Sequence, residues 1–366
     1  MVDILLCDKK ITLSAHDKSY DVDFFDLVKL FKIISKNDYV FVVDKKVNEL
    51  YNLSKKLNPK KTLIIKSSEK IKDLKFANFM IESFKNIGVT RNMSVVCIGG
   101  GTLQDITQFV CSIYYRGIDI ILVPTTLQAI TDSCIGSKTS INYKNYKNQL
   151  GTFYSPKAIF ISMEFLNTLS KNDINSGVAE MLKLLIIGQS QKLKEFFENL
   201  HHFKNILNIP DLDRYIFEAL VIKKRFVELD IFDFNERKIL NYGHTFAHAI
   251  ESINSNKISH GNATAIGINL ANYYSYRNNL TTKVFFETHF KNFDLIFNFA
   301  QLTKNLQLNG VEFLEKFLND KKIISNRKIQ LIIPVNNSIS IKTVNIDTKL
   351  SKIIDDFFKL IQKENN

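Results

Sequence analysis

The sequence predicts an α/β domain built on a parallel sheet, followed by a mostly α-helical domain, and three observations carry that prediction. In the first half, short continuous apolar runs alternate with segments of helical length. Such unbroken runs suit strands buried on both faces, as parallel strands are. From about Ser170 the strand-like runs give way to long segments with helical periodicity. The length, 366 residues, exceeds what one ordinary core organises and suggests two domains. The expected division is residues 1–170 for the sheet domain and 171–366 for the helical one.

The elements follow in order. Tyr39-Val-Phe-Val-Val-Asp44 reads as a strand ending in an acid, and residues 61–65 as a second. Residues 94–98 form a third, running straight into Gly99-Gly100-Gly101, and 118–123 a fourth, closed by Pro124-Thr125-Thr126. In such sheets ligands bind past the carboxyl ends of the strands. Later, residues 174–187, 215–228 and 284–299 read as helices, 329–334 as a late β-like run and 350–362 as a final amphipathic helix. There is no internal repeat and no long Gly/Ser or Pro linker, so a cleft between the domains is the expected site.

Composition narrows the partners. Lys and Arg number 49 against 37 Asp and Glu, a formal charge of +12. The lysines are spread through the chain with no dense basic block interleaved with aromatics, so no nucleic-acid partner is expected. A small anionic substrate suits the same charge. No apolar run reaches the roughly 18 to 20 residues that span a bilayer, and Met1-Val-Asp lacks a signal-peptide start, which predicts a cytoplasmic protein with no membrane partner. Cys7, Cys97, Cys111 and Cys134 are scattered without C-x-x-C spacing and read as reduced packing residues.

Chemistry concentrates between Arg237 and His260. If this segment is helical, Arg237, Asn241, His244 and His248 fall at i, i+4, i+7 and i+11, a single stripe. A guanidinium, an amide and two imidazoles on one stripe point into a polar cavity. The two imidazoles can both bind a metal, or one can bind while the other moves protons, or both can be hydrogen-bonded within a packed helix. The Glu that follows the first His in zinc-protease helices is absent. Upstream, three glycines after a strand, then Thr102 and Asp105, form either a phosphate-cradling turn or a purely structural one. Asp44 stands where many dinucleotide sites hold a ribose hydroxyl. Arg116, Lys138 and Lys147 around Asp132 suit a phosphate or carboxylate clamp, against which stands a solvated loop with incidental lysines. Glu180 and Lys183, three apart on an apolar helix, are either a surface pair or directed into the cleft, and Lys223 is a further candidate.

Taken as a set, Gly99-Gly-Gly-x-x-x-Asp105, Arg116-Gly, Pro124-Thr-Thr, Asp132-Ser-x-x-Gly-x-Lys138-Thr and Lys147-Asn148-x-x-Gly-x-Phe-Tyr-x-Pro continue into Ala179-Glu180-x-x-Lys183, Arg237-x-x-x-Asn241-x-Gly-His244-Thr-x-x-His248-Ala-Ile-Glu and His260-Gly. In order and spacing, from about Asp44 to His260, this set resembles the 3-dehydroquinate synthase family, and a later Asp320-Lys321-Lys322 is also similar. The resemblance implies a nucleotide-binding α/β domain followed by a metal- and substrate-binding helical domain. It implies an enzyme that uses NAD and a divalent metal, usually zinc with cobalt an option, to convert 3-deoxy-D-arabino-heptulosonate 7-phosphate to 3-dehydroquinate and phosphate, commonly as a homodimer. Position by position, it makes Glu180, His244 and His260 the metal ligands. Asp44, Glu69, Lys72, Gly100, Gly101, Asp105, Thr125 and Thr126 fall at NAD-contacting positions. Arg116, Asp132, Lys138, Lys147, Asn148, Lys183, Lys223, Arg237, Asn241 and His248 fall at substrate or catalytic positions, and either Lys321 or Lys322 joins them.

This assignment is chemically coherent. Two imidazoles and a carboxylate leave coordination positions open, as a catalytic zinc needs. A hydride that passes to NAD and returns leaves the cofactor recycled. His248 is then placed to relay protons, Lys138 and Lys147 to hold phosphate, and Arg237 to grip the substrate carboxylate. The chain departs from the family pattern at Asn262, Ala247, Ser137, Ser140 and Asp233. Alternative readings are a related cyclase acting on another heptulose phosphate, which has little use for Arg237, a metal-dependent alcohol dehydrogenase of the same fold, and a catalytically silent basic binding protein.

Overall fold

The computed structural model describes residues 9–144, 146–202, 206–254, 257–318, 323–325 and 327–363. In chain order the elements are β1 (Lys10–Ser14), β2 (Ser19–Phe24), α1 (Leu27–Ser35), β3 (Val40–Asp44), α2 (Lys45–Tyr51), β4 (Thr62–Ile65), α3 (Leu74–Ile87), β5 (Val95–Gly99), α4 (Gly101–Ile113), β6 (Ile120–Pro124), β7 (Ile141–Tyr143), β8 (Tyr146–Leu150) and β9 (Ala158–Ile161). There follow α5 (Lys171–Ile187), α6 (Gln191–Leu200), α7 (Leu212–Leu229), α8 (His244–Ile253), α9 (His260–Arg277), α10 (Lys283–Phe297), α11 (Phe299–Thr303), α12 (Gly310–Leu318), β10 (Ile323–Ser325), β11 (Lys328–Val335), β12 (Ser338–Asn345) and α13 (Thr348–Lys363). The α/β class with a mostly helical second part is borne out. The chain forms two compact units, Met1–Gly177 with Asn199–Phe232, and Val178–Glu198 with Asp233–Asn366. The expected division after residue 170 is a single linear cut, whereas residues 199–232 return to the first unit.

The first unit is organised by a seven-stranded sheet in the order β1-β2-β9-β6-β5-β3-β4. All neighbours are parallel except the β1–β2 pair. The continuous apolar runs become β3, β5 and β6 because both faces are covered. Phe41, Val43, Val96, Ile98, Ile121 and Val123 join Leu30 and Ile34 of α1 in one core cluster. The alternate residues Val40, Val42, Val95, Cys97, Ile120 and Leu122 are equally buried, with α4 against β5 and β6. From β3 the chain steps outward to β4, then returns to place β5 on the other side of β3 and continues to β6. Strand order therefore reverses between β3 and β5, whose carboxyl ends are Asp44 and Gly99, and open α/β sheets bind ligands at such a switch.

The second unit is built around α9, buried along most of its length and touched by α8, α10, α13 and β11. Its three-stranded antiparallel sheet, β10-β11-β12, includes the expected β-like run near residue 330 as β11. Strands β11 and β12 turn at Asn336-Asn337, both at positive φ, the two-residue turn whose twist suits a hairpin. Gly243 and Gly267 seat α8 on α9. A Cβ on Gly267 would lie 2.3 Å from the Gly243 carbonyl oxygen, so only bare backbone allows this approach. Among the described residues no helix is long and apolar enough to cross a membrane.

Candidate active site

Three side chains distant in sequence meet in the second unit. Glu180 comes from α5, while His244 and His260 are the first residues of α8 and α9. Their donor atoms lie within 4.8 Å of one another. The Glu180 Oε1 is 3.4 Å from His260 Nε2 and 3.7 Å from His244 Nε2. His244 Nδ1 faces the Tyr242 carbonyl at 3.2 Å. A carbonyl only accepts, so Nδ1 carries the proton and the Nε2 lone pair is turned toward Glu180. His260 Nδ1 likewise lies 3.3 Å from Glu251 Oε1. Lys183 brings its ammonium to 2.5 Å from Glu180 Oε2, with both side chains buried. The i, i+3 pair is thus internal, not on the surface.

This arrangement fits a divalent metal. Neither Glu180 oxygen accepts an aligned hydrogen bond, although both are buried, and two imidazole Nε2 atoms face the same carboxylate. Donors about 2.05 Å from a tetrahedral ion lie about 3.4 Å apart, close to the separations found here. Burial works to raise the Glu180 pKa, yet Lys183, His244 and His260 hold it well below the usual carboxylate range. For His260, burial favours the neutral ring, but Glu180 and Glu251 push its pKa up to about 10. A field strong enough to hold a proton there would also attract a dication.

The remaining residues of this segment require a correction. Arg237, Asn241, His244 and His248 do not share one helical stripe. Arg237 and Asn241 lie on a 3-10 turn, Glu236–Asn241, and α8 begins only after Gly243, which is left-handed at φ 79. The close seat against Ile268 and Gly267 demands that break. Arg237 is buried, and Asn241 Nδ2 donates to the Lys238 carbonyl at 3.3 Å. The exposed His248 keeps its ring 5.7 Å from that of His244 and 6.2 Å from that of His260. A second trio, His248, Glu251 and His260, also has donor atoms within 4.8 Å of one another.

The first unit holds two further groups. Lys72 is buried, and its ammonium donates to Asp105 Oδ2 at 2.7 Å, Asn148 Oδ1 at 2.7 Å and Ser140 Oγ at 3.1 Å. Ser140 also donates to Asp105 at 2.9 Å, and Asn142 links the group to Glu69 at 2.8 Å. Burial raises the Asp105 pKa, with Lys72 and Ser140 opposing the shift. Predicted cofactor and substrate positions therefore share one network, and Ser140 and Asn142 belong to it without having been singled out for a role. Their polarity within the Lys138–Asn148 stretch was the available signal.

The second group joins Asp132 to Lys223. Asp132 sits on a π-helical turn, Ala129–Ser133, a form that clusters at functional sites. Buried Lys223 reaches both its backbone carbonyl and its Oδ1, the latter at 2.6 Å. Asp44 caps α2, its Oδ1 accepting from Lys46 N at 2.8 Å and Val47 N at 3.2 Å. At the α4 N-terminus, a Cβ on Gly100 would meet Thr126 Cγ2 at 3.2 Å, and one on Gly101 would meet Ser133 Oγ at 2.8 Å. The glycines therefore have a packing role of their own. Thr125 is buried, with its N–H bonded to the Gly99 carbonyl. Lys138 and Lys147 are exposed, as is Arg116, which stands at φ 64 on a turn with Tyr115 and Gly117 also at positive φ. Lys321 and Lys322 lie outside the described residues.

Comparison with known proteins identifies the family in two consecutive segments of the chain. The family described as 3-dehydroquinate synthase N-terminal matches residues 62–176, and 3-dehydroquinate synthase C-terminal matches 177–323. A 3-dehydroquinate synthase of Campylobacter fetus subsp. fetus is 34% identical over 355 residues, covering 94% of this chain and 97% of that protein. Among solved structures, 2-deoxy-scyllo-inosose synthase complexed with carbaglucose-6-phosphate, NAD+ and Co2+ superposes with TM-score 0.83 at 21% identity, covering 95% of this chain and 100% of that one. The 2-epi-5-epi-valiolone synthase of Streptomyces hygroscopicus subsp. jinggangensis, with NAD+ and Zn2+ bound, gives TM-score 0.80 at 21% identity, covering 96% and 99%.

Proposed function

The chain belongs to the 3-dehydroquinate synthase family, and from that premise we propose how its residues divide the conversion of 3-deoxy-D-arabino-heptulosonate 7-phosphate to 3-dehydroquinate and phosphate, a step of the shikimate pathway to aromatic amino acids. The observation that carries the proposal is the meeting of Glu180, His244 and His260 around a space that wants a cation. A divalent metal held by these three, zinc or cobalt as in the two solved cyclases, would act as a Lewis acid on vicinal substrate oxygens. NAD would supply a hydride acceptor that is regenerated within each turnover.

The chain's own groups bind and orient. Gly100 and Gly101 let backbone approach the pyrophosphate of NAD, and Asp44 offers Oδ2 to a ribose hydroxyl, since Oδ1 is occupied by its helix cap. Glu69, Lys72, Asp105, Thr125 and Thr126 complete the nucleotide side. Lys138, Lys147 and Arg116 neutralise the substrate phosphate, while Arg237 forks onto its carboxylate. Asn148, Asn241, Asp132, Lys183 and Lys223 hold hydroxyls in register, leaving ring opening and closure to orientation. His248, exposed beside the trio, moves the proton. The enzyme is proposed to work in the cytoplasm as a homodimer, with no nucleic acid or membrane partner.

Purified protein given NAD, zinc and the heptulosonate phosphate is expected to release one phosphate per cyclic product, with no net NADH. Phosphate release from sedoheptulose 7-phosphate alone would support another cyclase, and accumulation of NADH with an alcohol would support a dehydrogenase. In the same assay His244→Ala should lose metal, whereas His248→Ala should keep it and slow by about 10²- to 10⁴-fold, the usual share of a proton-transfer group.

A further inference from the structure

We infer that Glu251 is the positioning carboxylate of this centre, fixing through the Nδ1 proton of His260 which nitrogen that ring turns toward Glu180 and His244. The inference rests on the reading of Glu180, His244 and His260 as ligands, and gives a role to a residue that this reading leaves idle. Glu251 is buried, and its Oε1 lies 3.3 Å from His260 Nδ1. On α8, His244, His248 and Glu251 occupy i, i+4 and i+7, one face of the helix, so the element that supplies one imidazole also supplies the anchor for the other.

The two imidazoles are held differently. His244 is tied to the Tyr242 carbonyl two residues away, and its side chain is 9% exposed. The His260 side chain is 29% exposed, so its ring has more freedom to lose. Its outer nitrogen meets a carboxylate, which selects the tautomer with Nδ1 protonated. Nε2, 3.4 Å from Glu180 Oε1, is then the nitrogen that gives up its proton and turns its lone pair to a metal. An anionic acceptor also makes that lone pair a stronger donor than a neutral carbonyl does. Outer groups of this kind typically change metal affinity by about 10- to 100-fold.

The test is zinc affinity, measured against a chromophoric chelator without substrate, for the unaltered protein and for Glu251→Ala, Glu251→Gln, His248→Ala and Glu180→Gln, with visible spectra of the cobalt-loaded forms. Thermal melts of the metal-free variants establish that each is folded. The expected result is that Glu251→Ala binds about 10- to 100-fold more weakly, Glu251→Gln falls between because an amide oxygen still accepts the proton, and His248→Ala stays within about twofold. The cobalt bands should shift in both Glu251 variants, which a residue serving packing alone would not cause. Unchanged affinity in Glu251→Ala overturns the inference. Loss of binding in both Glu251→Ala and His248→Ala, with Glu180→Gln retained, also overturns it by placing the ion on the second trio. If the unaltered protein takes up no zinc or cobalt, the ligand reading itself fails and takes the inference with it, a result distinct from the other two.

Discussion

Glu180 illustrates at the residue scale how stability and function share one group. Its carboxylate has Lys183 at 2.5 Å within a buried pair, and breaking such a pair typically costs about 3–5 kcal/mol because one charge is left uncompensated. Lys183→Ala should therefore destabilise the metal-free protein by up to about that amount, His260 at 3.4 Å keeping part of the compensation. A metal bound by Glu180 competes with the ammonium for the same charge, so the penalty should shrink in saturating zinc, which stabilises whichever state binds it. Urea unfolding with and without zinc measures both numbers, and equal penalties would place the ion elsewhere. The residue types of this centre were legible in the chain, but their convergence was not. Spacing alone left His244 and His248 open between a metal pair, one ligand beside a proton carrier and two packed histidines, and only family likeness made Glu180 and His260 ligands. Glu251 was visible as a letter in the motif and acquires a role only when α8 and α9 are laid together. The serines at 137 and 140 were visible as departures, and the structure gives each a reason. Ser137 sits at φ 58, where glycine would be free of strain, and bonds to Ser155 at 2.9 Å, while Ser140 bridges Asp105 and Asn148.

At the scale of elements, what the sequence announced depended on whether burial was continuous. Strands β3, β5 and β6 are covered on both faces and so could be read as apolar runs. Strand β1 alternates exposed and buried residues, β8 is largely exposed, and β12 carries lysine and threonine on its open side. Each pairs with its neighbour in the chain as a hairpin, β1 with β2, β8 with β7 and β12 with β11, but with one face open none of them makes the continuous apolar run that marks a buried strand. The break before α8 did have a local sign, Gly243, but the continuous polar stripe masked it. The seat of α8 on α9 makes that glycine and its partner testable. Gly267→Ala would place a methyl carbon 2.3 Å from the Gly243 carbonyl oxygen, an atom that cannot rotate away. Either α8 shifts at its first turn or the backbone strains, at a cost of about 1–3 kcal/mol. Because His244 opens that turn, zinc affinity should fall together with the melting temperature. A Gly267→Ala protein with lowered melting temperature and unchanged zinc affinity would show that the seat serves packing alone.

On the scale of the whole molecule, the first unit is discontinuous, and this decides what can fold alone. Residues 199–232 bring α7 to it, with Tyr215, Ile216, Ala219 and Leu220 buried, Phe217 5.8 Å from Phe24, and Lys223 on Asp132. A fragment ending at residue 177 retains every strand of the seven-stranded sheet but lacks that helix, exposing β1 and the π-helical turn that α7 touches. Three thiols report the outcome. Burial pushes the pKa values of Cys97 and Cys134 up to about 12 and Cys111 well above its ordinary value. A thiol whose folded pKa exceeds its unfolded one contributes stability below the unfolded value, and that contribution is lost as pH rises through the folded value. At pH 8 the folded chain therefore keeps these thiols protonated and enclosed, while an unfolded chain presents them near the ordinary thiol range, about 8.5. With Cys7 changed to Ser, the full chain should label slowly with a disulfide reagent and the 1–177 fragment should label fast at all three positions. Slow labelling of the fragment, with a cooperative melt, would mean that the sheet and its own helices suffice and that α7 is an addition to a unit already stable without it.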